Sequence, residues 1–143
     1  MIHEETGEID LALGVRVGPS YTEAQFLASP LARRSKVASD PEGSGYRMER
    51  QMLFGRQFRV SLGFRRGKLA SVELFQVGAE SKASWDEWSK HEELERKASH
   101  DTWLLSMLGR PPPYAYPWGE IASQHDPRGG YSCIVVRYTG AGA

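Results

Sequence analysis

The chain has 143 residues, with 18 Lys+Arg against 18 Asp+Glu, 40% hydrophobic residues and 25% charged ones. This usage excludes a disordered chain, and the balanced charge excludes a global field that would draw the protein onto nucleic acid or membrane. The one cysteine, Cys133, excludes a disulfide framework and a multi-cysteine zinc site; there is no membrane-length apolar run, and the start MIHEETGEID is acidic where a signal peptide is basic. The expectation is a soluble, cytoplasmic protein with a single domain over residues 1–143, large enough to fold without a staple.

Ile9 to Val17 reads as the first strand, because Leu11, Leu13, Val15 and Val17 recur at spacing two before Gly18-Pro19. Ser20 with Glu23 and Thr22 with Gln25 both fit a capping box, so a short helix follows that buries Phe26 and Leu27 and stops before Pro30, with Leu31 packing beneath the break. Residues 35–45 carry Asp-Pro and Gly-Ser-Gly and read as a loop. Tyr46 to Leu53 reads as a strand with Tyr46, Met48, Arg50 and Met52 on one face, and Gly55 marks a bend. Phe58, Val60, Leu62 and Phe64 alternate strictly with polar or small residues, the pattern of a strand with one dry face. Arg66-Gly67 turns the chain, and Leu69 to Val77 returns as the second arm of a hairpin.

A long helix is predicted from Trp85, behind a Ser84/Glu87 capping box, to Leu108, with Gly109 as its stop before Pro111-Pro112-Pro113. Leu94, Ala98, Leu105 and Leu108 form one apolar stripe on it and Trp85 and Trp103 a second; Lys90, Glu93, Lys97 and His100 form the wet face. The proline-rich segment that follows is extended. It resembles a WW-domain ligand at Pro-Pro-Pro-Tyr, and its rings are expected to pack over the helix. Trp118–Gln124 and Tyr131–Thr139 then form a hairpin around Asp126 to Gly130. Strands joined by hairpins predict an α+β fold, a mainly antiparallel sheet of about five to six strands with one short and one long helix packed on it.

No catalytic signature stands out. The sequence His91-Glu92-Glu93-Leu94-Glu95 begins like a zincin motif and ends in Glu, so no metal and no cofactor are expected. Cys133 lies in an apolar strand and reads as an inert small hydrophobe. Asp101 falls on the apolar stripe, where its expected role is to pair inside the fold, with Arg128 or Arg137 or with loop N–H groups. Residues 47–68 are rich in base, with Arg47, Arg56, Arg59, Arg65, Arg66 and Lys68, and offer a face for nucleic acid or for an acidic protein.

Three motif segments stand out: Ser84-Trp85-Asp86-Glu87-Trp88-Ser89, His100-Asp101-Thr102-Trp103-Leu104, and Trp118-Gly119 through Ser123, Asp126 and Arg128 to Gly129. Together they resemble a family of small uncharacterised bacterial proteins with W-x-x-W-S, H-D-x-W-L and W-G-x-x-x-S-x-x-D-x-R-x-G motifs. The resemblance covers nearly the whole chain and carries over no catalytic residue; by analogy of size it implies a partner protein that neutralises a toxin. The expected function is therefore binding to another bacterial protein, with Trp85, Trp88, His100, Asp101, Trp118, Asp126 and Arg128 as binding candidates and a homo-oligomer left open. The alternative is a small hydrolase-like enzyme using His100, Asp101, His125 or Asp126, and the third reading is nucleic-acid binding through the basic stretch.

Overall fold

The computed structural model describes residues 2–38, 43–53, 56–76, 90–109, 113–126 and 131–139. Among them the fold is α+β, with more and shorter strands than expected. A three-stranded antiparallel sheet comprises β1 (Ile2–His3), β2 (Glu8–Asp10) and β3 (Arg16–Val17). An eight-stranded antiparallel sheet holds the rest: β4 (Ser35–Ala38), β5 (Ser44–Met48), β6 (Gln51–Leu53), β7 (Arg56–Arg65), β8 (Lys68–Gln76), β9 (Tyr114–Tyr116), β10 (Gly119–Asp126) and β11 (Tyr131–Tyr138). Its order is β4-β5-β7-β8-β11-β10-β9, with β6 also paired to β7. Helix α1 (Glu23–Leu27) and helix α2 (Lys90–Leu108) complete the described elements.

The β7–β8 hairpin follows the sequence pattern. Phe58, Val60, Leu62 and Phe64 are all buried, and the partners of the last three, Leu74, Val72 and Leu69, are buried opposite them. Arg66 and Gly67, both at positive φ (54° and 77°), make the two-residue turn whose twist matches that of the strands. Helix α1 sits over this end. Its capping box is the Thr22/Gln25 one: Gln25 N–H donates to Thr22 Oγ1 at 3.1 Å and Thr22 N–H to Gln25 Oε1 at 2.9 Å. Phe26 packs against Tyr46 and Phe64, with ring centroids 4.9 and 6.0 Å away. Leu27 was expected in the core and is instead exposed; a five-residue helix turns only one apolar position inward. Leu31 is buried beyond Pro30, as expected.

Three strand predictions needed correction. The expected strand Ile9–Val17 is broken by a 3-10 turn at Ala12–Gly14, because Leu13 and Gly14 both take positive φ (58° and 74°) and fold β2 back onto β3. Residues 35–38, expected in a loop, pair with β5 from Ser35↔Met48 to Ala38↔Gly45; the turn chemistry at Asp40-Pro41 falls at 39–42, outside the described residues. The expected strand Tyr46–Leu53 is two strands laid end to end along β7, broken at Glu49 and Arg50. One extra residue at that break inverts the alternation. Met48, Gln51 and Leu53 therefore point inward and Met52 outward, where Met48 and Met52 were expected to share a face. Gly55 lies outside the described residues.

One hydrophobic cluster joins all of this, from Ile2 and Ile9 of the small sheet through Phe26, the inner face of β7, β8 and β11, to Trp103, Leu104 and Leu108 of α2. The small sheet, α1 and α2 thus share one face of the large sheet. The opposite face carries the intervening residues, including Lys36, Arg47, Arg59 and Glu73.

Candidate functional site

Helix α2 packs across β10 and β11, and the described part of it buries His100, Trp103, Leu104 and Leu108, an i, i+3, i+4, i+8 stripe. Of the expected stripes, Leu108 of the first and Trp103 of the second are buried as expected, while Ala98 and Leu105 are rotated outward and exposed. The bulkiest ring sets the rotation: Trp103 lies 5.3 Å from Phe58, centroid to centroid, and draws its own side of the helix onto the sheet. His100, expected on the wet face, is 0% exposed as a result. Leu94, Lys90, Glu93 and Lys97 have side chains outside the described set. The helix ends where predicted, with Gly109 at φ 73° and its N–H donating to the Leu105 carbonyl at 2.9 Å.

The H-D-x-W-L and W-G-x-x-x-S segments meet in space. Asp101 and Leu104 of α2 face Glu120, Ile121 and Ser123 of β10 across a cleft of about 350 Å³ that Pro113 and Tyr114 close at one end. Strand β9 pairs with Gly119 to Ile121 alone, so among the described residues the rest of β10 has no partner strand on that side. Ser123 Oγ is buried there without a hydrogen-bond partner among the described residues. Asp101 is half-buried at the wall while the adjacent His100 is in the core, because neighbours on a helix point about 100° apart. These two residues do not converge as a catalytic pair. His125 and Asp126 lie in β10, opposite Ser132 and Tyr131, with side chains outside the described set.

Trp118 is an anchor between the chain ends. Its indole N–H donates to the Glu4 carbonyl at 2.7 Å, its ring stacks on Tyr116 at 4.7 Å and 6°, and it tilts against Tyr138 at 5.7 Å. Tyr138 in turn donates its hydroxyl to the Gly7 carbonyl at 2.6 Å, and burial pushes the pKa of that hydroxyl far up. Gly7 has φ +78°, and a Cβ there would lie 2.6 Å from the Trp118 ring, so ring and turn fit together with no room for a side chain. The N-terminal turn and the C-terminal sheet are held by these contacts. The nearby Asp10 carboxylate accepts from Arg16 Nε at 2.6 Å and meets His3 Nε2 at 2.9 Å. The Arg16 bond, then the His3 bond, lowers its pKa from 3.8 to about 2.

The basic residues are spread over the sheet surface. Arg47 and Arg59 are exposed on the face away from the core, and Arg66 and Lys68 are exposed at the hairpin turn. Lys36 lies directly across from Arg47, while Glu73 stands in the same row beyond Ser61. The Arg56 side chain lies outside the described set. Trp85, Trp88 and Arg128 of the expected site, and the Ser84 capping box, also lie outside the described residues. Cys133 is buried. Among the described residues no group of three or more His, Cys, Asp and Glu gathers as a metal site, and no helix is long and apolar enough to cross a membrane.

Sequence reasoning missed a second cleft, of about 280 Å³, between the Leu13 turn and the β5–β6 break. Leu31 and Met48 are buried at its base, while Leu13 and Met52 stand exposed beside it with Arg34 and Arg50. The signal available was Gly14 directly after Leu13, which permits the turn that lifts Leu13 out of the strand pattern.

No protein-family model matches the chain, and no curated protein matches its sequence. The motif resemblance therefore has no family model behind it. A solved structure does match: one chain of Rhs1-CT in complex with its cognate immunity protein RhsI1 has a TM-score of 0.66 to this chain, over 98% of this chain and 87% of that one, at 17% sequence identity. At that identity the likeness is one of fold.

Proposed function

We propose that this is a bacterial, cytoplasmic protein that binds another protein and neutralises it in the manner of an immunity protein. The observation that carries the reading is the whole-chain likeness of fold to a chain of the complex between Rhs1-CT and its cognate immunity protein. His100 is in the core and Asp101 at the cleft wall, so these two do not form the pair that a hydrolase reading would draw on. On this reading His100 and Trp118 serve the fold, while Trp85, Trp88, Asp101, Asp126 and Arg128 remain the motif residues a partner would touch. The test is a growth assay with the polypeptide encoded directly beside this gene. That polypeptide expressed alone should arrest growth, and co-expression of this protein should restore it and give a complex that survives gel filtration. Arrest without rescue, or rescue with no complex formed, overturns the reading.

A further inference from the structure

The cleft beside Leu13 has three properties that stability alone does not explain. Leu13 is 52% exposed and sits at φ +58°, a left-handed conformation that disfavours a leucine. It thus combines an unfavourable backbone with an unburied apolar side chain, the kind of departure that clusters at functional sites. Met52, which lines the same cleft, is 60% exposed, and it is a flexible, polarizable side chain suited to contact surfaces. The support beneath them is bonded in place. The Ala12 N–H donates to the Oε1 of the buried Gln51 at 2.9 Å, which ties the turn to β6 and holds the cleft open between them.

Size and charge identify the occupant. At about 280 Å³ the cleft has room for one large anchoring side chain of a protein partner. Its base is apolar, through Leu31 and Met48, and its charged lining is two arginines, Arg34 and Arg50, with one acid, Glu49. Arg33, exposed next to Arg34, adds to the excess of base. A complementary partner presents an apolar side chain flanked by carboxylates.

We propose that this cleft is a docking site for an acidic segment of a partner protein, which inserts one large apolar side chain between Leu13 and Met52. The inference deepens the binding function above and rests on it for the kind of macromolecule. Its test uses the full-length protein with carbon-labelled Leu and Met methyl groups, titrated with three capped pentapeptides: Asp-Glu-Phe-Glu-Asp, Lys-Arg-Phe-Arg-Lys and Asp-Glu-Ser-Glu-Asp. The acidic Phe peptide should shift the Leu13 and Met52 methyl signals, and the other two should not. Leu13→Asn removes the apolar tip and places there a residue that tolerates the left-handed backbone, so it should weaken peptide binding roughly 10-fold or more while leaving Tm unchanged or higher. Met52→Glu and Arg34→Glu should also weaken binding, whereas Leu105→Gln, at an exposed leucine on α2, should behave as wild type. No methyl shift, or equal shifts with the basic peptide, overturns the proposal. So does a self-associating wild type that Leu13→Asn renders monomeric, since the occupant is then a second copy. The titration does not depend on the growth assay, so the two readings fail separately.

Discussion

Trp118 and Gly7 show how single residues carry the connection between the chain ends. The indole N–H is bonded to Glu4, and the ring fills the space a side chain at position 7 would need. Gly7→Ala should therefore lose stability twice, from the positive φ and from the clash, by roughly 2–4 kcal/mol in denaturant melts. In a Trp118→Ala background the clash is gone, and the cost of Gly7→Ala should fall to about 1 kcal/mol; equal costs in both backgrounds would show that ring and turn are independent. Asp10 sets an acid limit. Its folded pKa of about 2 lies below the ordinary 3.8, so the stability it contributes is complete above about pH 4 and is lost as pH falls toward 2. The pair is partly exposed, so salt weakens it. Asp10→Asn should flatten the pH dependence of Tm in that window, and an unchanged acid limb would place the effect elsewhere.

At the scale of elements, the β7–β8 hairpin is the part of the fold most legible beforehand, because strict alternation and a two-residue turn act within a few residues of each other. Phe64→Ala should cost about 3–5 kcal/mol, since it opens a cavity next to Phe26, Tyr46 and Tyr21. A change within error in denaturant melts would refute the packing. Thr22→Ala removes the hydroxyl that accepts from the Gln25 N–H, leaves the backbone bond from Thr22 N–H to Gln25 Oε1 in place, and should cost about 1 kcal/mol. The strand readings that failed did so at Leu13-Gly14 and at Glu49-Arg50, where one turn and one added residue change which side chains face the core. The stripe on α2 was wrong at Ala98, His100 and Leu105 for a related reason. Several rotations of that helix bury apolar residues, and the contact of Trp103 with Phe58, more than 40 residues earlier in the chain, selects one.

Over the whole molecule, one face of the large sheet is covered by the small sheet, α1 and α2, and part of the other carries basic side chains. The sequence has equal numbers of acids and bases, and Glu73 lies in the row of Lys36, Arg47 and Ser61. Among the described residues this face lacks the unbroken basic stripe on which tight phosphate binding depends. Filter binding at physiological salt should show no sub-micromolar affinity for mixed RNA or DNA. Tight binding abolished by Arg59→Glu together with Arg65→Glu would refute this.

Local pattern alone determined the α+β class, the β7–β8 and β10–β11 hairpins and the end of α2 at Gly109, and it narrowed the α1 cap to two candidate boxes. Each is decided by residues close in sequence, through spacing-two burial or the conformational needs of a turn. The motif segments around His100 and Trp118 were visible in the same way, on the long helix and in the C-terminal hairpin. Only the tertiary structure decided what those residues do there. It buried His100, left Asp101 at a cleft wall and set Trp118 against the N-terminal turn. It also created the cleft at Leu13 and Met52, two residues 39 positions apart that periodicity had placed in separate strands. Burial and cleft formation depend on which distant surfaces meet, and spacing along one segment does not specify that.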